Sequence, residues 1–151
     1  EKAIFIDEIW QLLGSNSSES NHLAAEFTLE IFKVIRGYGG AAICASQDIS
    51  DFFALDDGKF GRGIINNART KIILNMEDDE ARRVQSILHL SETETMAITH
   101  FERGSGLISS NNNNITVEFK ASDLEKELIT TDRSELQAIL RRKQHQENHA
   151  Y

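Results

Sequence analysis

At 151 residues and 40% hydrophobic content the chain can build one domain with a real core, and it holds no apolar run near the ~20 residues that cross a bilayer. Twenty-four acidic against sixteen basic side chains leave a net charge of −8, which excludes a broad phosphate-binding surface and confines any nucleic-acid contact to a local patch. The lone Cys44 excludes a disulfide framework within the chain; it reads as a small buried residue and suits a reducing, cytoplasmic compartment.

The chain begins at Glu1 rather than Met and enters an apolar strand at once, which reads as a piece of a longer protein. KAIFIDEIWQLL, residues 2–13, predicts a buried strand over Ala3 to Asp7 and a short apolar turn through Trp10, Leu12 and Leu13. GSNSSESN, residues 14–21, is small, polar and aperiodic, a surface loop. From His22 to about Tyr38, Leu23, Phe27, Ile31, Val34 and Ile35 recur at helical spacing, and Gly37, Gly39 and Gly40 supply the stop. AAICAS, residues 41–46, is short, apolar and bounded by Gly40 and Gln47, as a fully buried parallel strand would be.

DISDFFALDDGKFGRGIINNA predicts helical pieces broken at Gly58, Gly61 and Gly63, before a strand over Thr70 to Asn75. Asp78 to Leu88 reads as a charged amphipathic helix, and Ser91 to Glu94 is a capping box opening the next one. GLISS and ITVEFKA flank the asparagine run 111–114 as a hairpin, since Asn tolerates left-handed backbone angles. A second capping box, Ser122 to Glu125, and a start at Asp132 to Glu135 predict two closing helices; the last carries Leu136, Ile139 and Leu140 before a polar tail expected to fray. The order predicts an α/β fold, a mostly parallel sheet with helices on both faces and an antiparallel edge hairpin. Residues 1–130 read as one domain portion and 131–151 as a closing helix and tail.

In an open parallel sheet ligands bind beyond the carboxyl ends of the strands, where Asp7, Glu8 and Gln47 would converge. An apolar run ending in Asp-Glu is the form of a Walker B strand, whose first carboxylate holds magnesium through water while the second orients or deprotonates the attacking water. Strand-end solvation is the competing reading of the same pair. Trp10 reads as a packing residue against the following helix, with framing of a nucleotide as its alternative. Arg62, Arg69 and Arg103 read as surface charge, with contact to phosphate or a neighbouring subunit as the alternative, and His22, His89, His100, His145 and His149 have no metal-ligand spacing and no Cys partner.

IFIDEIWQLL, KVIRGYGGAAICASQDISDFF, IINNARTKIIL, LSETE, RGSGLI and ELITTD, in that order, resemble the C-terminal part of the ATPase of conjugation and type IV secretion systems, the fourth VirB component and its conjugative relatives. The resemblance spans nearly the whole chain. It implies a RecA-like core related to hexameric DNA-pumping motors, ATP hydrolysis with Mg2+, and a homo-oligomer, a hexamer, working with other secretion-channel proteins at the inner face of the membrane. Any contact with DNA would be indirect. It makes Asp7 the metal-side carboxylate, Glu8 the catalytic base and Gln47 the sensor of the γ-phosphate. Arg36 matches an arginine that reaches a nucleotide in the adjacent subunit, although Gly37 stands where relatives commonly carry a second basic residue. A guanidinium suits that role because it keeps its charge and offers paired donors, whereas a solvated helix end is the plain alternative for Arg36.

No G-x-x-x-x-G-K-[ST] loop occurs in these residues, and that loop supplies most of the phosphate affinity in such enzymes. The expectation is therefore an ATPase whose phosphate cradle lies upstream, with this chain inactive alone and with a sheet edge or face uncovered, so that it self-associates or is partly disordered near its first strand. The rival expectation is a non-catalytic assembly module of a secretion complex.

Overall fold

The computed structural model describes residues 2–13, 19–111 and 113–148, with side chains to Arg142 in the last helix. Strand β1 (Lys2–Ile6) lies parallel to β2 (Gly40–Cys44), with Lys2 opposite Gly40 and Ile6 opposite Cys44. The crossover between them is α1 (Trp10–Leu13), α2 (Glu19–Val34) and a 3₁₀ turn, Ile35–Tyr38. The loop expected over 14–21 is shorter: Glu19 to Asn21 already belong to α2, and residues 14–18 lie outside the described ones.

Alternation along β1 and β2 sends Ile6 and Cys44 toward a core of Ile9, Leu13, Ala25, Leu55, Phe60 and Ile64, with Leu29, Phe32 and Phe52 packed against it. Among the described residues the opposite face stays open. Phe5 and Ile43, register partners on that face, are 73% and 49% exposed, so neither strand is buried on both sides as their apolar runs suggested. Helix α2 is rotated from its expected seating. Ala25 and Thr28 are buried, while Leu23 and Phe27 lie exposed, because the helix carries two apolar stripes and the one with smaller side chains allows the closer approach to the core. The Thr28 hydroxyl donates to the Ala24 carbonyl at 2.7 Å, which satisfies it inside the helix.

After β2 a 3₁₀ turn, Ile49–Phe53, precedes α3 (Lys59–Asn67). Gly61 and Gly63 do not interrupt α3. A Cβ on Gly61 would lie 1.8 Å from the Phe52 carbonyl oxygen and one on Gly63 would meet Leu29, so these glycines permit close packing rather than breaking the helix. Strand β3 (Thr70–Ile73) is followed by α4 (Asp78–Leu88) and α5 (Glu92–Thr99), the latter opened by the expected capping box of Ser91 and Glu94. β4 (Ser105–Ser110) and β5 (Asn113–Glu118) form the expected hairpin, with Asn111 at φ +50, and β4 pairs antiparallel with β3. The fold is thus α/β, and its described strands form two sheets, the parallel β1–β2 pair and β3–β4–β5.

The second sheet packs with α4 and α5 around Ile73, Ala81, Val84, Leu90, Ile98 and Leu107. The 3₁₀ turn after β2 links the two cores, since Phe52 packs on the first and Ile49 on the second. Compactness divides the chain into two units, Glu1–Val117 and Glu118–Tyr151. The second contains α6 (Asp123–Ile129), opened by the Ser122–Glu125 capping box, and α7 (Arg133–Asn148), whose Ser134 and Glu135 amides are capped by Asp132. The end of the tail, 149–151, is outside the described residues. Among the described residues no helix is long and apolar enough to cross a membrane.

Candidate nucleotide site at the carboxyl ends of the parallel strands

Because β1 and β2 run parallel and in register, both strands deliver their next residues to the same rim. The Ala45 amide donates to the Ile6 carbonyl at 2.9 Å, and the Ile9 amide returns to the Ala45 carbonyl at 3.1 Å. Between them Glu8 sits at φ +51, a left-handed conformation that costs a residue with a Cβ about 1–2 kcal/mol. The Glu8 amide donates to Asp7 Oδ1 at 3.0 Å, so the first carboxylate holds the backbone of the second.

Both oxygens of the Glu8 carboxylate are engaged. Gln47, 39 residues away in sequence, donates from Nε2 to Oε1 at 2.6 Å, and the Trp10 indole donates from Nε1 to Oε2 at 2.6 Å. Asp7, Glu8 and Gln47 therefore meet on one rim, as expected from the topology, and Trp10 joins them. Trp10 is 46% exposed, so packing accounts for only part of the ring, and its N–H bonds Glu8.

An open cleft of about 460 Å³ adjoins this cluster, lined by Glu8, Trp10, Gln11, Gln47, Asp48 and Asp51. Asp51 accepts from the Ser46 hydroxyl, and Asp48 accepts from the Ser50 amide at 2.7 Å. The Ser50 hydroxyl, then its amide, hold the Asp48 carboxyl below its usual range. Burial, followed by a hydrogen bond with Asp48, pushes neighbouring Glu80 up. None of the described lining residues is a cation, so the cleft offers a triphosphate acids and neutral donors but no counter-charge.

Arg36 is not in this cluster. It lies exposed in the 3₁₀ turn before β2, at the opposite end of a five-residue strand, roughly 13–17 Å from the rim at about 3.3 Å per residue. Arg62 rests over the Phe53 ring, 5.5 Å from its centroid, and Arg69 and Arg103 are exposed. His22 faces Asp56 at 3.5 Å and the edge of Phe60. Among the described residues no group of three or more His, Cys, Asp or Glu could hold a metal ion; the His145 side chain and His149 lie outside them. A single hard carboxylate at a strand end fits magnesium, which keeps most of its waters and takes further oxygens from a nucleotide.

Three cleft residues escaped the reading of the sequence, Gln11, Asp48 and Asp51. Asp48 had a local signal, because Asp-x-Ser is the pattern of a side chain capping the amide two residues on. Gln11 and Asp51 had none.

The family model of the TraG P-loop domain matches residues 1–144. The chain belongs to the TraG P-loop domain family. This member also matches the structure of VirB4 of Thermoanaerobacter pseudethanolicus at 26% identity and a TM-score of 0.72, over 82% of this chain and 32% of that one. The family is thus that of conjugation and type IV secretion ATPases, and this TraG-type chain spans about a third of the VirB4 structure it matches. The genome-packaging NTPase B204 of Sulfolobus turreted icosahedral virus 2, solved with ATP-gammaS, shares the fold at 14% identity and a TM-score of 0.56, over 79% of this chain and 52% of that one. The same packaging NTPase with sulfate gives 14% identity and a TM-score of 0.55, over 80% and 53%. No curated protein matches this TraG-type chain.

Proposed function

We propose that the chain is the Walker B-bearing portion of an ATP-hydrolysing motor that powers conjugative DNA transfer or type IV secretion. One observation carries the reading: the Glu8 carboxylate is oriented by Gln47 across the ends of two parallel strands, with Asp7 beside it. A solvated strand end needs no such cross-strand bond. The ATPase portion is residues 1–130, and 131–151 are a closing segment whose described part is α7.

Each residue takes a role from its chemistry. Glu8 accepts a proton from the attacking water through Oε1, once Gln47 turns its amide from Glu8 to a γ-phosphate oxygen. Gln47 is suited to that exchange because a terminal amide donates equally well to a carboxylate or a phosphate. Asp7 would hold Mg2+, which would supply the positive charge that neutralises the phosphates. Arg36, remote from its own rim, serves the site of the next subunit in a homo-oligomer, a hexamer, where its guanidinium would meet phosphate oxygens.

The acidic cleft bears on what the chain can do alone. With no cation among the described lining residues and no G-x-x-x-x-G-K-[ST] sequence, it has little affinity for a triphosphate until a phosphate loop from outside these residues is added. The test is a calorimetric titration of the chain with ATP and Mg2+, repeated with the longer protein that carries it. The reading expects no micromolar binding by the chain and magnesium-dependent binding by the longer protein that Asp7→Asn weakens. Turnover by the chain alone contradicts it, and a longer protein that binds no nucleotide supports a non-catalytic assembly module instead.

A further inference from the structure

The Trp10 indole is a donor at this rim that the hydrolysis scheme above does not use. Its indole N–H lies 2.6 Å from Glu8 Oε2, a short bond of the charge-assisted kind. Burial alone does not account for a tryptophan there, since 46% of it is exposed while its neighbours Ile9 and Leu13 are 0% and 1% exposed. Those two anchor α1 in the core and so hold the indole in place.

We infer that Trp10 is the positioning residue of Glu8: it fixes Oε2 so that Oε1 alone remains free to exchange Gln47 for the reacting water. The inference rests on the reading of Glu8 as the base. The two donors differ in chemistry in a way that makes the arrangement directional. An indole can only donate and does not ionise near neutral pH, so its hold on Oε2 persists, whereas the Gln47 amide can rotate and find another acceptor. The left-handed backbone of Glu8 adds a reason for a clamp, because a residue at φ +51 keeps that conformation only where its surroundings over-determine it. Here those surroundings are Asp7 on the amide, Gln47 on Oε1 and Trp10 on Oε2.

Trp10 is the only tryptophan, so a 15N-labelled chain gives one indole N–H resonance. Substituting Glu8→Gln should move that resonance upfield as the charged acceptor is lost, and Gln47→Ala should leave it in place. In the longer protein, Trp10→Phe keeps the ring and removes the donor; it should lower kcat about tenfold to a hundredfold, the usual cost of misplacing a reacting group by an ångström or less, with KM for ATP within about twofold of wild type. The thermal midpoint should fall by no more than about 10 °C, as expected for the loss of one bond to a charged acceptor. An indole resonance indifferent to Glu8→Gln overturns the inference, as does Trp10→Phe with wild-type kcat beside an inactive Glu8→Gln; either leaves Glu8 standing as the base. Wild-type turnover in Glu8→Gln overturns the underlying reading instead.

Discussion

Gln47 Nε2 lies 2.6 Å from Glu8 Oε1, a bond spanning 39 residues that closes the rim above β1 and β2. Its strength comes from the charge of the acceptor, and its position from the register that pairs Ile6 with Cys44. Gln47→Ala should leave ATP affinity of the longer protein within a few-fold of wild type and slow turnover by about one to two orders of magnitude, because the amide acts on geometry rather than on charge. Single-turnover kinetics alongside equilibrium binding separate the two effects. A variant that loses affinity and keeps its rate would assign Gln47 to binding alone.

Gly61 and Gly37 make a matched pair for the packing account. Ala at Gly61 drives a methyl into the Phe52 carbonyl at 1.8 Å, inside the contact between α3 and the turn that links both cores. We expect a loss of several kcal/mol, at the upper end of single substitutions, or a chain that does not fold. Ala at Gly37 meets nothing within 4 Å, so its unfolding free energy in urea should stay within about 0.5 kcal/mol of wild type.

The capping box of α5 sets a dependence on pH. The Ser91 amide and hydroxyl hold the Glu94 carboxyl below its usual range, so the folded chain releases that proton more readily than the unfolded one. The stabilisation is complete above the ordinary glutamate value of about 4.3 and is lost as pH falls through the lower folded value. Ser91→Ala should cost about 1 kcal/mol at pH 7, and the cost should shrink in acid. Urea unfolding at pH 7 and pH 3 reads both; an equal cost at the two values would remove Glu94 from the account.

Cys44 should be slow to react. Burial pushes its thiol up to about 11, against a modest opposing effect of a backbone hydrogen bond, so the thiolate is scarce at neutral pH. Alkylation by iodoacetamide at pH 7.5 should lag the urea-unfolded chain by at least about tenfold. Equal rates would show that the β2 end opens readily.

Much of this arrangement was legible in the residues themselves. The Asp-Glu pair after an apolar run and the Gln after another placed three side chains on one rim, because parallel strands share a carboxyl end whatever covers their faces. Both capping boxes formed because Ser-x-x-Glu satisfies its own local donors and needs no tertiary context. What could not be read was partnership at a distance. Apolar alternation cannot tell whether Phe5 and Ile43 are covered, two stripes on α2 compete for one core, and a glycine at position 61 looks like a break until Phe52 is known to lie against it. The bond of Trp10 could not be read for the same reason: the sequence shows a large ring, not the carboxylate to which its N–H points.

The central claim is that Glu8 is held ready to take a proton from water attacking a triphosphate, and Glu8→Gln in the longer protein tests it most directly. That substitution keeps the size and an acceptor for the Trp10 indole, and a flipped Gln47 amide can still pair with it, while the base is removed. We predict a protein that binds ATP and Mg2+ as tightly as wild type and retains it unhydrolysed, with turnover reduced by about 10²-fold or more. Turnover at the wild-type rate, with nucleotide released as product, would contradict the claim.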